Sequence, residues 1–399
     1  MRKVYLDHSA TTPVHPEVAD LMMQYLTSTW GNPSSIHAFG REARKGVEEA
    51  RERVAGLIGA KPEEIFFTSG GTEADNMAVL GTAYAKQKKG NHIIASSFEH
   101  HAVLDPCKFL EKQGYRVTFL PVTPEGLVRV EDVEAAITDQ TILITIMHVN
   151  NEVGTIQPIE EIGRLAKTRG ITFHTDAVQS AGKIPVDVNA LQVDLMTVSA
   201  HKIYGPKGIG CLYVRKGTRL EPITHGGGQE RKRRPGTENV PGMVGFGKAA
   251  ELAARELDSE SARLTVLRDK LIDGLMNRVD HVRLNGHRTK RIPTNVNVSI
   301  EFVEGESILL SMDMHGIGAS SGSACTSGSL DPSHVLLAMG IPYEVAHGSL
   351  RMTLGRDNTE EDVKYVLEVL PGIIERLRAM SPLAQQKTAP VGKECCTSV

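Results

Sequence analysis

Cysteine is scarce in this 399-residue chain: there are five, at positions 107, 211, 325, 395 and 396, odd in number and without the paired spacing of metal ligands. They suggest neither a disulfide framework nor a zinc site. Long apolar runs are missing too. No segment is long enough to cross a bilayer, and the start, Met1 to His8, is basic but lacks the apolar stretch of a signal peptide, so a cytoplasmic protein without a membrane partner is expected. Excess charge of one sign is also absent. A net charge of -3 and a pI near 6.6 give no electrostatic case for nucleic acid. There is no internal repeat and no long low-complexity stretch. What is present is the composition of a globular enzyme, 40% hydrophobic and 23% charged, in a length that suits two or three domains' worth of core.

Apolar periodicity organises the chain. Helical spacing covers Pro16 to about Ser28 and Ala38 to about Ile58, the second stopped at Gly59. From Ile65 onward strands and helices alternate. Strands are predicted at Ile65–Thr68, Ile93–Ala95, Tyr115–Leu120, Ile142–Val149 and Ile171–Thr175. Helices are predicted between them over Thr72–Lys89, up to Gly114, near Val130–Ile137 and over Ile159–Arg169. This repetition implies right-handed crossovers and a mainly parallel sheet covered on both faces. Ligands bind such sheets beyond the carboxyl ends of the strands. After Arg215 the rhythm changes to a basic, glycine-rich segment, Gly226–Gly236, which reads as a solvated loop. A long helix from about Gly245 to Arg278 follows, then a strand at Asn295–Ile300, a helix at Glu306–Met314, a strand at Ser349–Leu354 and a closing helix at Glu360–Arg378. The expected architecture is α/β: a large domain over 15–258, a smaller α+β domain from 1–14 and 259–380, and a mobile tail over 381–399.

The residues able to do chemistry fall at the strand ends. Lys202 sits in a polar, glycine-rich turn between two apolar runs of Val193–Val214. Where a buried strand meets a pocket, desolvation lowers a lysine's pKa toward the neutral amine that forms Schiff bases. Upstream, the run from Ile171 ends in Asp176, with Gln179 following. An aldehyde-binding lysine and a carboxylate for a pyridinium nitrogen are what a pyridoxal phosphate enzyme needs. Lys202 alone could be a surface lysine at a hairpin; the ordered pair is the stronger signal. Ser69–Glu73 follows a strand and opens a helix, so it reads either as a plain cap or as a phosphate cradle made of backbone N–H groups and the Thr72 hydroxyl. It does not match the nucleoside triphosphate loop. Ser199 and His201 add phosphate donors, His100 can lie flat on a cofactor ring, and the amides at Asn150 and Asn151 can donate to a cofactor oxygen. Finally, Gly318–Ser329 surrounds Cys325 with small residues that leave its thiol uncrowded, as a sulfur-carrying nucleophile requires; without the lysine site it reads as a linker.

Eight motifs carry a resemblance over nearly the whole chain: Tyr5–Pro13, Gly31–Ser35, Asn150–Gly154, His174–Gln179, Ser199–Lys202, Arg234–Thr237, Ser323–Cys325 and Ser349–Arg356. With them the chain resembles the pyridoxal-phosphate-dependent cysteine desulfurases of the NifS/IscS group, in the class V aminotransferase superfamily of fold type I. The resemblance implies an aspartate-aminotransferase-like fold whose large domain holds a mainly parallel seven-stranded sheet, with pyridoxal 5'-phosphate as cofactor and L-cysteine as substrate. By the same resemblance Lys202 would bind the cofactor's aldehyde and shuttle the substrate's Cα proton, Asp176 would pair with the pyridinium nitrogen, and His100 would stack on the ring. Gln179 and Asn151 would contact the phenolic oxygen. Gly71, Thr72, Ser199 and His201 would hold the phosphate, joined by Thr237 from the other subunit of a homodimer. Arg351, with Asn32 and Asn151, would bind the substrate, its guanidinium clamping the carboxylate. Cys325 would take the sulfur as a persulfide while alanine leaves, and pass it to an acceptor such as an iron–sulfur scaffold. No metal is required, although Cys325 can touch a cluster transiently. The alternatives are a selenocysteine lyase or a small-amino-acid aminotransferase built on the same site, and a non-catalytic scaffold, against which an intact Lys202, Asp176 and Cys325 speak.

Overall fold

The computed structural model describes residues 2–321 and 331–381; Cys325, Cys395, Cys396 and the tail from 382 onward lie outside them. The strands of the first half are β1 (Val4–Tyr5), β2 (Ile65–Thr68), β3 (His92–Ser96), β4 (Arg116–Leu120), β5 (Thr141–Thr145), β6 (Thr172–Asp176), β7 (Leu195–Ser199) and β8 (Gly210–Val214). Among them run helices α1 (Pro16–Thr27), α2 (Ala38–Leu57), α3 (Gly71–Lys86), α4 (His101–Glu111), α5 (Val130–Ala136) and α6 (Ile159–Arg169). Strands β2 to β8 form one seven-stranded sheet in the order β2-β8-β7-β6-β5-β3-β4. The β3/β4, β3/β5, β5/β6 and β6/β7 pairs are parallel, and only β8 opposes its neighbours β7 and β2. Every residue of β5, β6 and β7 is buried, as a sheet covered on both faces demands. The carboxyl ends of β3, β5, β6 and β7 therefore open onto one edge.

The second half contains α7 (Val240–Arg278), β9 (Val282–Leu284), β10 (Asn295–Ile300), α8 (Gly305–Met314), β11 (Ile317–Gly318), α9 (His334–Ala338), α10 (Tyr343–His347), β12 (Ser349–Thr353) and α11 (Glu360–Met380). Helix α7 starts earlier than the spacing from Gly245 predicts, because the Asn239 side chain accepts from the Gly242 N–H and Pro241 occupies a first-turn position that needs no N–H. Strand β5 is shorter than its apolar run: beyond Thr145 the chain leaves the ladder, and Val149 bridges back to Ile156.

Two main hydrophobic cores flank the domain junction. One packs beneath the large sheet; the other gathers Val4 and Leu6 with Leu264, Leu271, Val298, Leu350 and Leu370. On these cores we propose the division into 15–258 and 1–14 plus 259–380, noting that Val335, Leu336, Met339 and Ile341 pack with the first core.

The basic segment is not simply a solvated loop. Glu230 leaves it to meet Arg51 of α2, with nitrogen–oxygen distances of 2.7 and 2.9 Å and both side chains almost wholly buried. Glu230 also accepts from the Phe67 N–H at 2.8 Å, while Arg51 donates to the Ile65 carbonyl at 2.7 Å and lies over the Phe67 ring. Three consecutive left-handed residues, Glu230, Arg231 and Lys232, turn the backbone to make this reach. Removing one partner strands the other charge in the interior. Glu230→Ala should therefore lower unfolding stability by about 3–5 kcal/mol in urea titration; a loss under about 1 kcal/mol, the scale of a surface pair, would show that the anchor lies elsewhere.

Candidate active site

Strand β7 ends at Ser199, and the chain turns at once through a single 3₁₀ turn, Ala200–Lys202. The Ala200 carbonyl accepts the N–H groups of Ile203 and Gly205 at 3.0 and 2.9 Å. A Cβ on Gly205 would stand 2.8 Å from that carbonyl oxygen, so a side chain there would force the turn open. Lys202 thus projects from the carboxyl edge of the sheet, and its Nζ donates to the carbonyls of Ser9 at 2.5 Å and Ala10 at 2.7 Å.

Asp176 is the last residue of β6, paired in register with Thr197 of β7, and is buried. Burial pushes its carboxyl pKa up, opposed by the Val178 N–H, donated at 2.8 Å, and by the charge of Lys202. A second acid lies within electrostatic reach. Asp75 of α3 is driven up by its own burial and then by Asp176, and its Oδ1 lacks a hydrogen-bond partner. That oxygen sits 3.6 Å from Nε2 of His174, which burial pushes down to about 3 and so keeps neutral. Among the described residues no lysine or arginine forms an ion pair with either carboxyl, so a further cation would be welcome there, and a protonated ring nitrogen fits. His100 caps α4 by accepting the Ala102 N–H on Nδ1 at 3.1 Å. Burial first and the Lys202 charge second push it down to about 4, leaving a neutral ring suited to stacking.

The start of α3 lies against the end of β7. A Cβ built on Gly71, the first residue of α3, would lie 3.7 Å from the Ser199 Cβ and 3.0 Å from the Val178 side chain, so Ser199 abuts the helix start. Its hydroxyl is buried with no partner. Leaving such a group unmet costs on the order of 1–3 kcal/mol, and free helix N–H groups beside it suit an anion. Thr72 is exposed on the same first turn, and His201, pushed down to about 4 by burial, lies 3.1 Å from the Thr11 hydroxyl. A partnerless hydroxyl, a buried acid and a lysine at one sheet edge are the groups that would fit pyridoxal phosphate.

Arg351 on β12 approaches the edge from the small domain. Its guanidinium donates to Asp7 Oδ1 at 3.1 Å and to the Asn151 carbonyl at 3.3 Å, and its buried Nε has no partner. Asn151 is thus brought in through its backbone, while Gln179 donates its amide to the Ser9 carbonyl at 3.1 Å. Two expected residues stand apart in the single chain. Asn32 is exposed, its side-chain oxygen accepting the Ser34 N–H at 2.9 Å; Thr237 is exposed on a segment that Arg234 fastens to Glu73 at 2.8 Å. The motif readings assigned no role to Asp7, Asp75, Lys183 or the Ser9 and Ala10 carbonyls. Asp7, Ser9 and Ala10 do lie in the quoted Tyr5–Pro13 motif, which was the available signal.

A model of the aminotransferase class-V family matches residues 4–366. The cysteine desulfurase IscS of Dictyoglomus turgidum is 57% identical over 385 residues, 96% of this chain and 98% of that protein. A solved NifS-like protein superposes with a TM-score of 0.89 at 40% identity, covering 94% of this chain and 100% of that one. The solved complex of SspA with cysteine gives 0.79 at 38% identity, covering 88% and 99%.

The orphaned hydroxyl gives a two-sided expectation for Ser199→Ala. The cofactor-free protein should melt no lower than wild type, since an unmet polar group is removed, whereas titration with pyridoxal phosphate, followed by its visible band, should show affinity weakened roughly 10- to 100-fold. Unchanged affinity would remove Ser199 from the phosphate site.

Proposed function

The chain belongs to the class-V aminotransferase family and, within it, to the cysteine desulfurases, and we propose that the site at its sheet edge moves the sulfur of L-cysteine onto Cys325 and releases L-alanine. It is an enzyme of the cysteine desulfurase type and depends on pyridoxal 5'-phosphate. The observation that carries the site assignment is the convergence at one edge of Lys202, buried Asp176 and the partnerless Ser199 hydroxyl.

When bound, the cofactor supplies a protonated pyridine ring that takes up the electron pair released at the substrate's α-carbon. Asp176 keeps the ring nitrogen protonated, and the ring's charge in turn makes buried ionisation of Asp176 favourable. Lys202, now donating to Ser9 and Ala10, would hold the cofactor's aldehyde and move the α-proton. His100 would cover the ring face, Gln179 and Asn151 would serve the phenolic oxygen, and Gly71, Thr72, Ser199 and His201 would hold the phosphate. Arg351 already grips one carboxylate, that of Asp7, and the substrate carboxylate takes a place on the same fork. For Asn32 the single chain offers no contact in support of that clamp. The Cys325 thiolate attacks the substrate sulfur: an S–S bond forms, the C–S bond breaks, its electron pair is protonated at carbon, and alanine leaves. The remaining thiols of the described chain are unsuited. Burial raises both Cys107, to about 12, and Cys211, so neither offers a thiolate at neutral pH.

A second copy of the chain completes the site in this proposal. Met23, Leu26, Trp30, Ile36 and Phe39 form an exposed apolar group around the Gly31–Ser35 loop, with Ile36 91% exposed and Trp30 stacked on Phe39. Covering such a group by a homodimer leaves exposed Thr237 free to reach the partner's phosphate. The persulfide sulfur would go to an acceptor protein such as an iron–sulfur scaffold. The cytoplasm, where thiols stay reduced, is the fitting compartment.

Two experiments test this. Cys325→Ala should bind cofactor with its visible band intact, yet form persulfide and sulfide at less than about one-hundredth of the wild-type rate; wild-type turnover would hand the site to the aminotransferase or selenocysteine lyase reading. For the shared site, Lys202→Ala and Thr237→Val subunits, mixed and exchanged at limiting cofactor, should regain roughly a quarter of wild-type activity, because half the dimers would hold one intact site of two. No gain after exchange is verified by native mass spectrometry would rule out sharing.

A further inference from the structure

Lys183 has no part in the roles assigned above, yet three hydrogen bonds join it to Lys202. Its Nζ donates to Gln179 Oε1 at 3.1 Å, Gln179 Nε2 donates to the Ser9 carbonyl at 3.1 Å, and that carbonyl accepts from Lys202 Nζ at 2.5 Å. The backbone is built for this return. Gly182 adopts φ +73°, and a Cβ there would meet the Ile203 side chain at 2.8 Å, so the chain folds back tightly enough to set Lys183 over Gln179. Among the described residues no carboxylate forms an ion pair with the half-buried Lys183. It faces a cavity of about 60 Å³ shared with His8, Lys202 and Tyr204, room for a few waters to meet its remaining protons. Glu256 and Glu260 line the same cavity, and His8 and His201 feel the lysine's charge. Burial, then Lys202 and Arg351, push Lys183 down to about 7.

A glutamine amide has two ends of nearly equal shape, and hydrogen bonds alone decide which faces where. A protonated lysine only donates, and the neutral amine still keeps two N–H donors for a carbonyl oxygen. It therefore draws Oε1 toward itself and turns Nε2, with two protons, toward the Ser9 carbonyl and the cofactor side. We propose that Lys183 is a positioning residue that locks the Gln179 amide so that Nε2, and not Oε1, meets the phenolic oxygen of the bound cofactor. This rests on the cofactor-binding role proposed for Gln179. Donation to that oxygen stabilises its negative form and competes for the proton on the cofactor-bound Lys202 nitrogen. Without the lock, Oε1 turns toward the oxygen and that proton is held more tightly.

The test is the pH midpoint of the visible band in dimeric holoenzyme. Lys183→Met should raise the midpoint by about half a unit or more, as should Gln179→Ala, and the double variant should match Gln179→Ala alone, because the lysine acts through the glutamine. Lys183→Arg, whose guanidinium only donates, should keep the midpoint close to wild type. Lys183→Leu replaces the methionine variant if that one does not fold. An unmoved midpoint, even with a lowered melting temperature, would mean Lys183 is merely structural; shifts that add in the double variant would mean it acts independently of Gln179. Either result overturns the inference. A wild type without a visible band would instead sink the cofactor-site reading on which it stands.

Discussion

The arrangement turns on keeping one carboxylate charged where burial resists it. Asp176 ends a strand buried throughout its length, with its carboxyl pushed toward the neutral form and opposed by one backbone N–H and the charge of Lys202. Asp75 makes a second negative charge still costlier, so the pair favours a single ionised carboxylate. Lys202 supplies one positive charge within reach of Asp176, and a second cation placed against the carboxyl would favour its ionised form further. In the function proposed above the ring nitrogen of the cofactor would be that cation, and the same electrostatics would keep it protonated.

This poise requires Lys202 to be held close, and the N-terminal segment does so. Leu6 donates to the Gly318 carbonyl and accepts from Thr353, placing the segment in the small domain, while Thr12 and His15 donate to the carbonyls of His201 and Tyr204, on either side of Lys202. Between these two sets of bonds lie Asp7, holding Arg351, and the Ser9 and Ala10 carbonyls, holding Lys202. Residues 4 to 15 therefore tie Arg351 of β12 and the turn that carries Lys202 to one short strip of chain.

Much of this placement was legible in the sequence because it depends on strand order alone. In a parallel sheet, whatever follows a strand appears at the same edge, so locating β3, β6 and β7 was enough to bring His100, Asp176, Ser199 and Lys202 to one side. Features that depend on side chains distant in sequence were not legible. Arg51 and Glu230 lie 179 residues apart, and nothing in the basic run around Glu230 distinguishes it from a solvated loop. The end of β5 was misplaced for a related reason: Ile146 to Val149 are buried and apolar, but burial does not reveal where the ladder stops. Lys183 follows Gln179 in a turn with no periodicity, so only its position in space discloses the bond.

The cysteines follow a consistent physical division. Cys107 and Cys211 sit within α4 and β8, fully buried, where low dielectric keeps their sulfur protonated and inert. A thiol that must meet a substrate held at the sheet edge and then an acceptor outside needs the opposite setting, small neighbours and a base fixed near the site. The described chain supplies that base beyond residue 331. Ser333 bonds the buried Glu152, one residue from Asn151, and His334 lies within 3.0 Å of the Glu99 carbonyl, one residue from His100. The described chain after residue 331 is thus fastened next to Asn151 and His100, two residues proposed to meet the cofactor, and in that proposal the delivery of sulfur from Cys325 would start from a root fixed at the same edge.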